Sequence, residues 1–281
     1  MKYRLFICTF LIIVCSQTIY ANNYKERRDI INNILSDDSS RSNNKTIPSR
    51  KTLKKNTTNK NTNIIQTTTG ADQVLLKTGI NFYHNGMYNA ALEKMKELKK
   101  KHSKSPFIDN ANTWIGKILI KQYKYKDAIT ILSKIKPNSG AYPEALYTIA
   151  LANEYQRNII NSISQYKQVS SQFPQHELAD NALLKSGKLL LQINKGAQAL
   201  EAAITIIKRY RDRENIDDAY FLLANIFEHD QHLKDLETAR KVYKAFIKKA
   251  ADGSSYFSRS PLLRRVKFNL KKLERTYFRF E

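Results

Sequence analysis

Between residues 71 and 273, bulky apolar side chains recur at helical spacing, and small residues punctuate them in pairs twelve positions apart. The clearest stretch is Asn112 to Ile135, NTWIGKILIKQYKYKDAITILSKI, in which Gly116 and Ala128 form the small pair and Tyr125 stands just ahead of its second member. The pair recurs as Gly79 with Ala91, Ala150 with Ser162 and Gly187 with Ala199, and in stretched form as Ala224 with Ala239. The first members are separated by 37, 34, 37 and 37 residues. Small residues at matched places let two apolar helices approach closely, and a self-similar period in the thirties predicts a solenoid of helical hairpins. The expected fold is all-α: about five helix-turn-helix repeats over 71–98, 112–135, 142–169, 179–207 and 217–246. Asn85-Gly86, the run Pro137 to Gly140 and Phe173-Pro174 supply the breaks between helices.

A last helix is expected over 260–278, opened by Ser260-Pro261. Its apolar stripe is Leu262, Leu263, Val266, Leu270, Leu273 and Tyr277, and opposite lie Arg264, Phe268, Lys271, Lys272 and Arg275. A solenoid end needs such a helix as a cap, apolar inside and polar outside. The alternative use is Phe268 as an exposed aromatic anchor in a basic field, suited to an acidic partner or a membrane surface.

The chain ahead of the repeats has a different character. Met1 to Ala21 carries Lys2 and Arg4, a short apolar run from Leu5 to Val14 and a small residue at Ala21, which predicts a secretory signal peptide too short to span a bilayer. A rival cut before Cys15 would make that residue a lipid anchor. Residues 22–70 are rich in Asn, Thr, Ser and Lys and predict a disordered basic linker. Within it Ile30, Ile31, Ile34 and Leu35 share one side of a short potential helix, a docking element for a partner or for the protein's own groove. The run Arg50 to Lys60 reads as a solvated linker with a second use, contact with anionic lipid or peptidoglycan.

Trp114-Ile115-Gly116 followed by Tyr125, Ala128 and Leu132, with Pro174 closing a later unit, resembles the tetratricopeptide repeat family. The units with three extra residues, and the phrases KSPFIDNANTWIG and SSQFPQHELADNALLKSG, are similar to periplasmic repeat proteins of bacterial outer-membrane biogenesis. Those include the repeat lipoprotein of the β-barrel assembly machinery and the coordinator of the Tol-Pal system. The resemblance implies a right-handed superhelix whose groove is lined from the first helix of each pair. On this chain those positions are Tyr83, His84, Thr113, Lys117, Lys121, Tyr147, Leu151, Glu154, Tyr155, Lys188, Phe221 and Asn225. It also implies an exported, periplasmic scaffold that binds protein partners in the envelope.

The formal charge of +23 is dispersed: residues 22–70 hold ten basic and four acidic side chains, and the repeats hold 36 and 21. That excess favours anionic surfaces in general. Basic faces would give nucleic acid a salt-dependent affinity, but an exported chain rarely meets it, so no nucleic-acid partner is expected. Both cysteines, Cys8 and Cys15, lie ahead of the expected cut. The mature chain then has no disulfide, no thiolate-bound zinc and no thiol nucleophile. His229 and His232, near Glu228 and Asp235, are the one histidine cluster, and Glu228 precedes rather than separates them as a metalloprotease helix requires. No phosphate-binding glycine loop or nucleophile elbow is present. The expectation is a binding protein without cofactor, and not an enzyme.

Overall fold

The computed structural model describes residues 29–36 and 70–278. The expected signal peptide, Cys15 and the run Arg50 to Lys60 lie outside the described residues. Among the described residues every regular element is helical. The chain divides into two compact units, one of Lys55–Asp235 and one that joins Met1–Lys54 with Leu236–Glu281. The division falls inside the fifth expected repeat.

Residues 29–36 form helix α1, inside the stretch whose composition predicts disorder. Ile31 is fully buried. An isolated helix of this length is marginal in water, so burial of its apolar stripe is what corrects the reading here.

The larger unit contains α2 (Ala71–His84), α3 (Tyr88–Lys101), α4 (Ile108–Lys121), α5 (Tyr125–Leu132), α6 (Tyr142–Tyr155), α7 (Ile159–Gln172), α8 (Ala179–Gln192), α9 (Gly196–Arg209) and α10 (Ile216–His229). Consecutive helices pack on one another, and α4 also packs on α2 and α6, and α10 on α8. The first helix of each pair opens with a carboxylate in its first turn, Asp72, Asp109, Glu144, Asp180, and Asp217 with Asp218, and none has a side-chain cap. A negative charge there favours the helix through the dipole of its peptide groups. Two of these carboxylates also tie the start of one pair to the loop that leads into the next. Ser105 donates to Asp72 at 2.6 Å, and Arg213 and Asn215 donate to Asp180 at 2.8 and 2.7 Å.

The small residues sit at the closest approaches. A methyl group on Gly116 would meet three side-chain carbons of buried Leu132 at 2.6–2.7 Å. Gly187 faces Leu222 and Ala202, and Ser162 donates its hydroxyl to the Ala150 carbonyl at 2.9 Å across the seam. Gly79, Ala91, Ala128, Ala199, Ala224 and Ala239 are likewise buried. Gly116→Ala is therefore expected to destabilise by about 1–2 kcal/mol, the overpacking penalty less the gain in helix propensity. Gly79→Ala, which meets the flexible end of Met95, is expected to be nearly neutral, and denaturant unfolding of the two variants checks the order.

Helix α5 ends at Leu132, short of the expected Ile135. Amides of Lys134 and Ile135 bond three residues back rather than four, a tightened last turn ahead of Pro137.

The smaller unit holds α1 with α11 (Leu236–Ala251), α12 (Ser255–Ser258) and α13 (Leu263–Tyr277). α13 packs on α11 through Val266 and Leu273, both buried. Asn269 donates to the Tyr243 hydroxyl at 3.1 Å and Lys244 pairs with Glu274 at 3.1 Å. Phe257 of α12 meets Phe246 edge-on at 4.9 Å. Tyr277, expected in the apolar stripe, is instead 57% exposed at the end of the helix.

Candidate aromatic binding cavity

Helices α2, α4 and α6, with the turn that leads into α5, enclose a cavity of about 490 Å³ in the larger unit. α2 contributes Tyr83 and His84, α4 contributes Trp114, Lys117, Ile120 and Lys121, and α6 contributes Glu144, Tyr147, Thr148, Leu151 and Tyr155. Tyr123, Tyr125 and Leu178 complete the lining. The helical period explains the set: Trp114, Lys117 and Lys121 are three and four residues apart, as are Glu144, Tyr147, Leu151 and Tyr155, so each row lies on one helix face.

The rings hold one another in place. Tyr83 meets Trp114 edge-on at 5.1 Å, His84 meets Trp114 at 5.7 Å, and Tyr125 lies stacked on Tyr155 at 5.5 Å with an 18° tilt. Such pairs add to the area they bury and fix ring orientation. Lys117 sits 4.0 Å over the Trp114 ring and pairs with Glu144, so its charge is neutralised within the wall. Lys121 is exposed and has no carboxylate partner among the described residues. The cavity thus offers aromatic walls and, in Lys121, a cation unpaired among the described residues.

Tyr123 is held with φ at +62° and is 80% exposed. The matching turn position in three other pairs is Gly86, Arg157 and Asn194, all with positive φ. A bulky side chain in this region is disfavoured by the clash of Cβ with the backbone, and here the ring stands at the cavity rim, edge-on to Tyr125 at 6.4 Å.

Burial pushes the Tyr147 phenol up to about 12, with the Glu154 carboxylate adding to it. Tyr166, whose hydroxyl donates to Glu154 at 2.9 Å, is raised by the same causes. The folded state therefore favours neutral phenols, and this stability, whole below the ordinary phenol value near 10, is lost as pH rises through about 12. An absorbance titration is expected to show a tyrosinate step near pH 12 that Tyr147→Phe removes.

Of the positions implied by the resemblance, Tyr83, His84, Lys117, Lys121, Tyr147, Leu151 and Tyr155 come together at the cavity. Thr113 and Phe221 do not: both are buried in helix seams, and the Thr113 hydroxyl donates to the Asp109 carbonyl at 2.9 Å. One step along a helix turns the side chain by about 100°, which carries Thr113 from the face of Trp114 into the core. Glu154 holds Lys185 at 3.1 Å, Lys188 pairs with Asp218 at 2.6 Å farther along, and Asn225 donates to the Phe221 carbonyl of its own helix. Sequence reading missed Trp114, Tyr123 and Tyr125 as lining residues. The two tyrosines of the Gln-Tyr-Lys-Tyr turn, aromatic where a turn is normally polar, were the available signal. His229 and His232 are exposed at the end of α10, and no group of three or more metal-ligating side chains occurs among the described residues.

Residues 73–105 and 218–252 match the family model of the tetratricopeptide repeat. Among solved structures, PilF of Pseudomonas aeruginosa aligns with a TM-score of 0.53 at 14% identity, covering 74% of this chain and 92% of that one. The crystal structure of the MamA protein aligns with a TM-score of 0.51 at 20% identity, covering 64% and 94%. No curated protein matches the chain. The likeness is one of fold, stacked antiparallel helix pairs of the tetratricopeptide type.

Proposed function

We propose that the chain is an exported scaffold of the bacterial cell envelope whose aromatic cavity captures an extended segment of a protein partner. The observation that carries this reading is the cavity itself: about 490 Å³, walled by seven aromatic rings, the His84 imidazole included, and rimmed by Lys121. That volume admits a few side chains rather than a folded surface. Aromatic walls give large contact area at little conformational cost, and a lysine with no acidic partner among the described residues orients a carboxylate of the incoming segment. Export and a part in outer-membrane assembly or maintenance rest on the signal-like first 21 residues and on the resemblance to the repeat proteins of β-barrel assembly and Tol-Pal.

Selection of displayed peptides on the full mature chain tests the reading. The selected peptides should carry an acidic or terminal carboxylate near an aromatic or large apolar residue, and should be lost when Tyr155→Ala or Lys121→Glu replaces the bait. Peptides retained by both variants, or no selection at all, would overturn it.

A further inference from the structure

The outer face of α13 offers a second surface, of a different kind. Residues 236–278 hold twelve basic and three acidic side chains, a net +9. The inner stripe of α13 packs on α11, which leaves Arg264, Lys267, Phe268, Lys271, Lys272 and Arg275 facing out, all exposed. The one carboxylate of this helix, Glu274, is held by Lys244 of α11. None of those five cations has a carboxylate partner among the described residues. Phe268 stands among them 67% exposed, with cations four residues before it and three, four and seven after.

We propose that this face docks α13 on the surface of an anionic lipid bilayer, with Phe268 entering the boundary between headgroups and acyl chains. The cations lie over the lipid phosphates. A large exposed ring on a convex helix needs a partner that yields around it. A fluid bilayer accepts an aromatic side chain at its interface without a matching pocket, while long basic side chains around the ring reach the headgroups. An acidic protein satisfies the charges, but it must also carry a preformed pocket for Phe268. No described helix is long and apolar enough to cross a membrane, so the docking is peripheral.

Co-sedimentation of the full mature chain with vesicles of phosphatidylglycerol and phosphatidylcholine, against phosphatidylcholine alone, tests the proposal. Binding should require the anionic lipid and weaken with salt. Lys271→Glu with Arg275→Glu should lower it at least about tenfold and Phe268→Ala about fivefold. Tyr155→Ala should leave it unchanged, which separates this face from the cavity. All of these positions are exposed, and circular dichroism verifies that the helices persist. Binding indifferent to the α13 variants would overturn the proposal, as would Phe268-independent binding to polyglutamate that exceeds binding to the vesicles.

Discussion

Alanine in place of Asp180 is expected to lower the unfolding free energy by about 3 kcal/mol. The Asp180 side chain is only 3% exposed. It accepts from Arg213 at 2.8 Å and from Asn215 at 2.7 Å. The guanidinium also donates to the His176 carbonyl at 2.9 Å and lies 4.8 Å from the Tyr210 ring, whose hydroxyl donates to the Pro174 carbonyl. Removal of the carboxylate leaves a cation facing a vacated, poorly solvated site, and it takes away a favourable charge from the first turn of α8. Arg213 is 30% exposed, so water relieves part of this penalty and the loss falls at the low end for a broken buried pair. Asp180→Asn keeps an acceptor and is expected to cost about half as much. Urea unfolding checks both, and a midpoint unchanged in Asp180→Ala would show that the loop tie contributes nothing.

Tyr155→Ala is expected to weaken binding of a selected peptide about thirtyfold, the loss typical of an aromatic anchor, with little change in stability. The ring is 54% exposed and stacked on Tyr125, so its removal strips one wall of the cavity without opening the core. Tyr123→Gly separates stability from binding further. Relief of the positive φ should stabilise the fold by about 1 kcal/mol, while loss of the rim ring lowers affinity. Arg157→Gly relieves the same strain at the equivalent turn of the next pair and should stabilise without touching affinity. Thermal unfolding and peptide titration of the three variants give the two readings side by side.

The repeats were legible because close approach imposes residue size: Gly116 opposite Leu132, and Ser162 bonded to Ala150, can only be small, and their period survives drift elsewhere. The cavity was legible in part. Tyr147, Leu151 and Tyr155 follow from helical spacing, but Tyr125 and Trp114 occupy positions where a ring could equally face a seam. Nothing local marks Tyr123 as left-handed, since the glycine and asparagine that announce that geometry at Gly86 and Asn194 are absent there. The tie between Asp180 and Arg213 joins residues 33 positions apart and has no local signature. The helix at 29–36 was hidden for another reason: its eight residues depend on tertiary burial of Ile31, which composition does not reveal. The loop after α10 is likewise tertiary. Buried Asp230 accepts from the amides of His232 and Leu233 and lies against Gly196 of α9, at the point where the chain passes from one unit to the other.

Trp114 is the only tryptophan of the chain and lies in the cavity wall, so its emission reports occupancy directly. Titration of a selected peptide into the protein, followed through that emission, is the most direct test of the central claim. The account predicts a saturable change that weakens in Tyr155→Ala and persists in Phe268→Ala. Binding detected by calorimetry with no change at Trp114, or with equal strength in Tyr155→Ala, would contradict it.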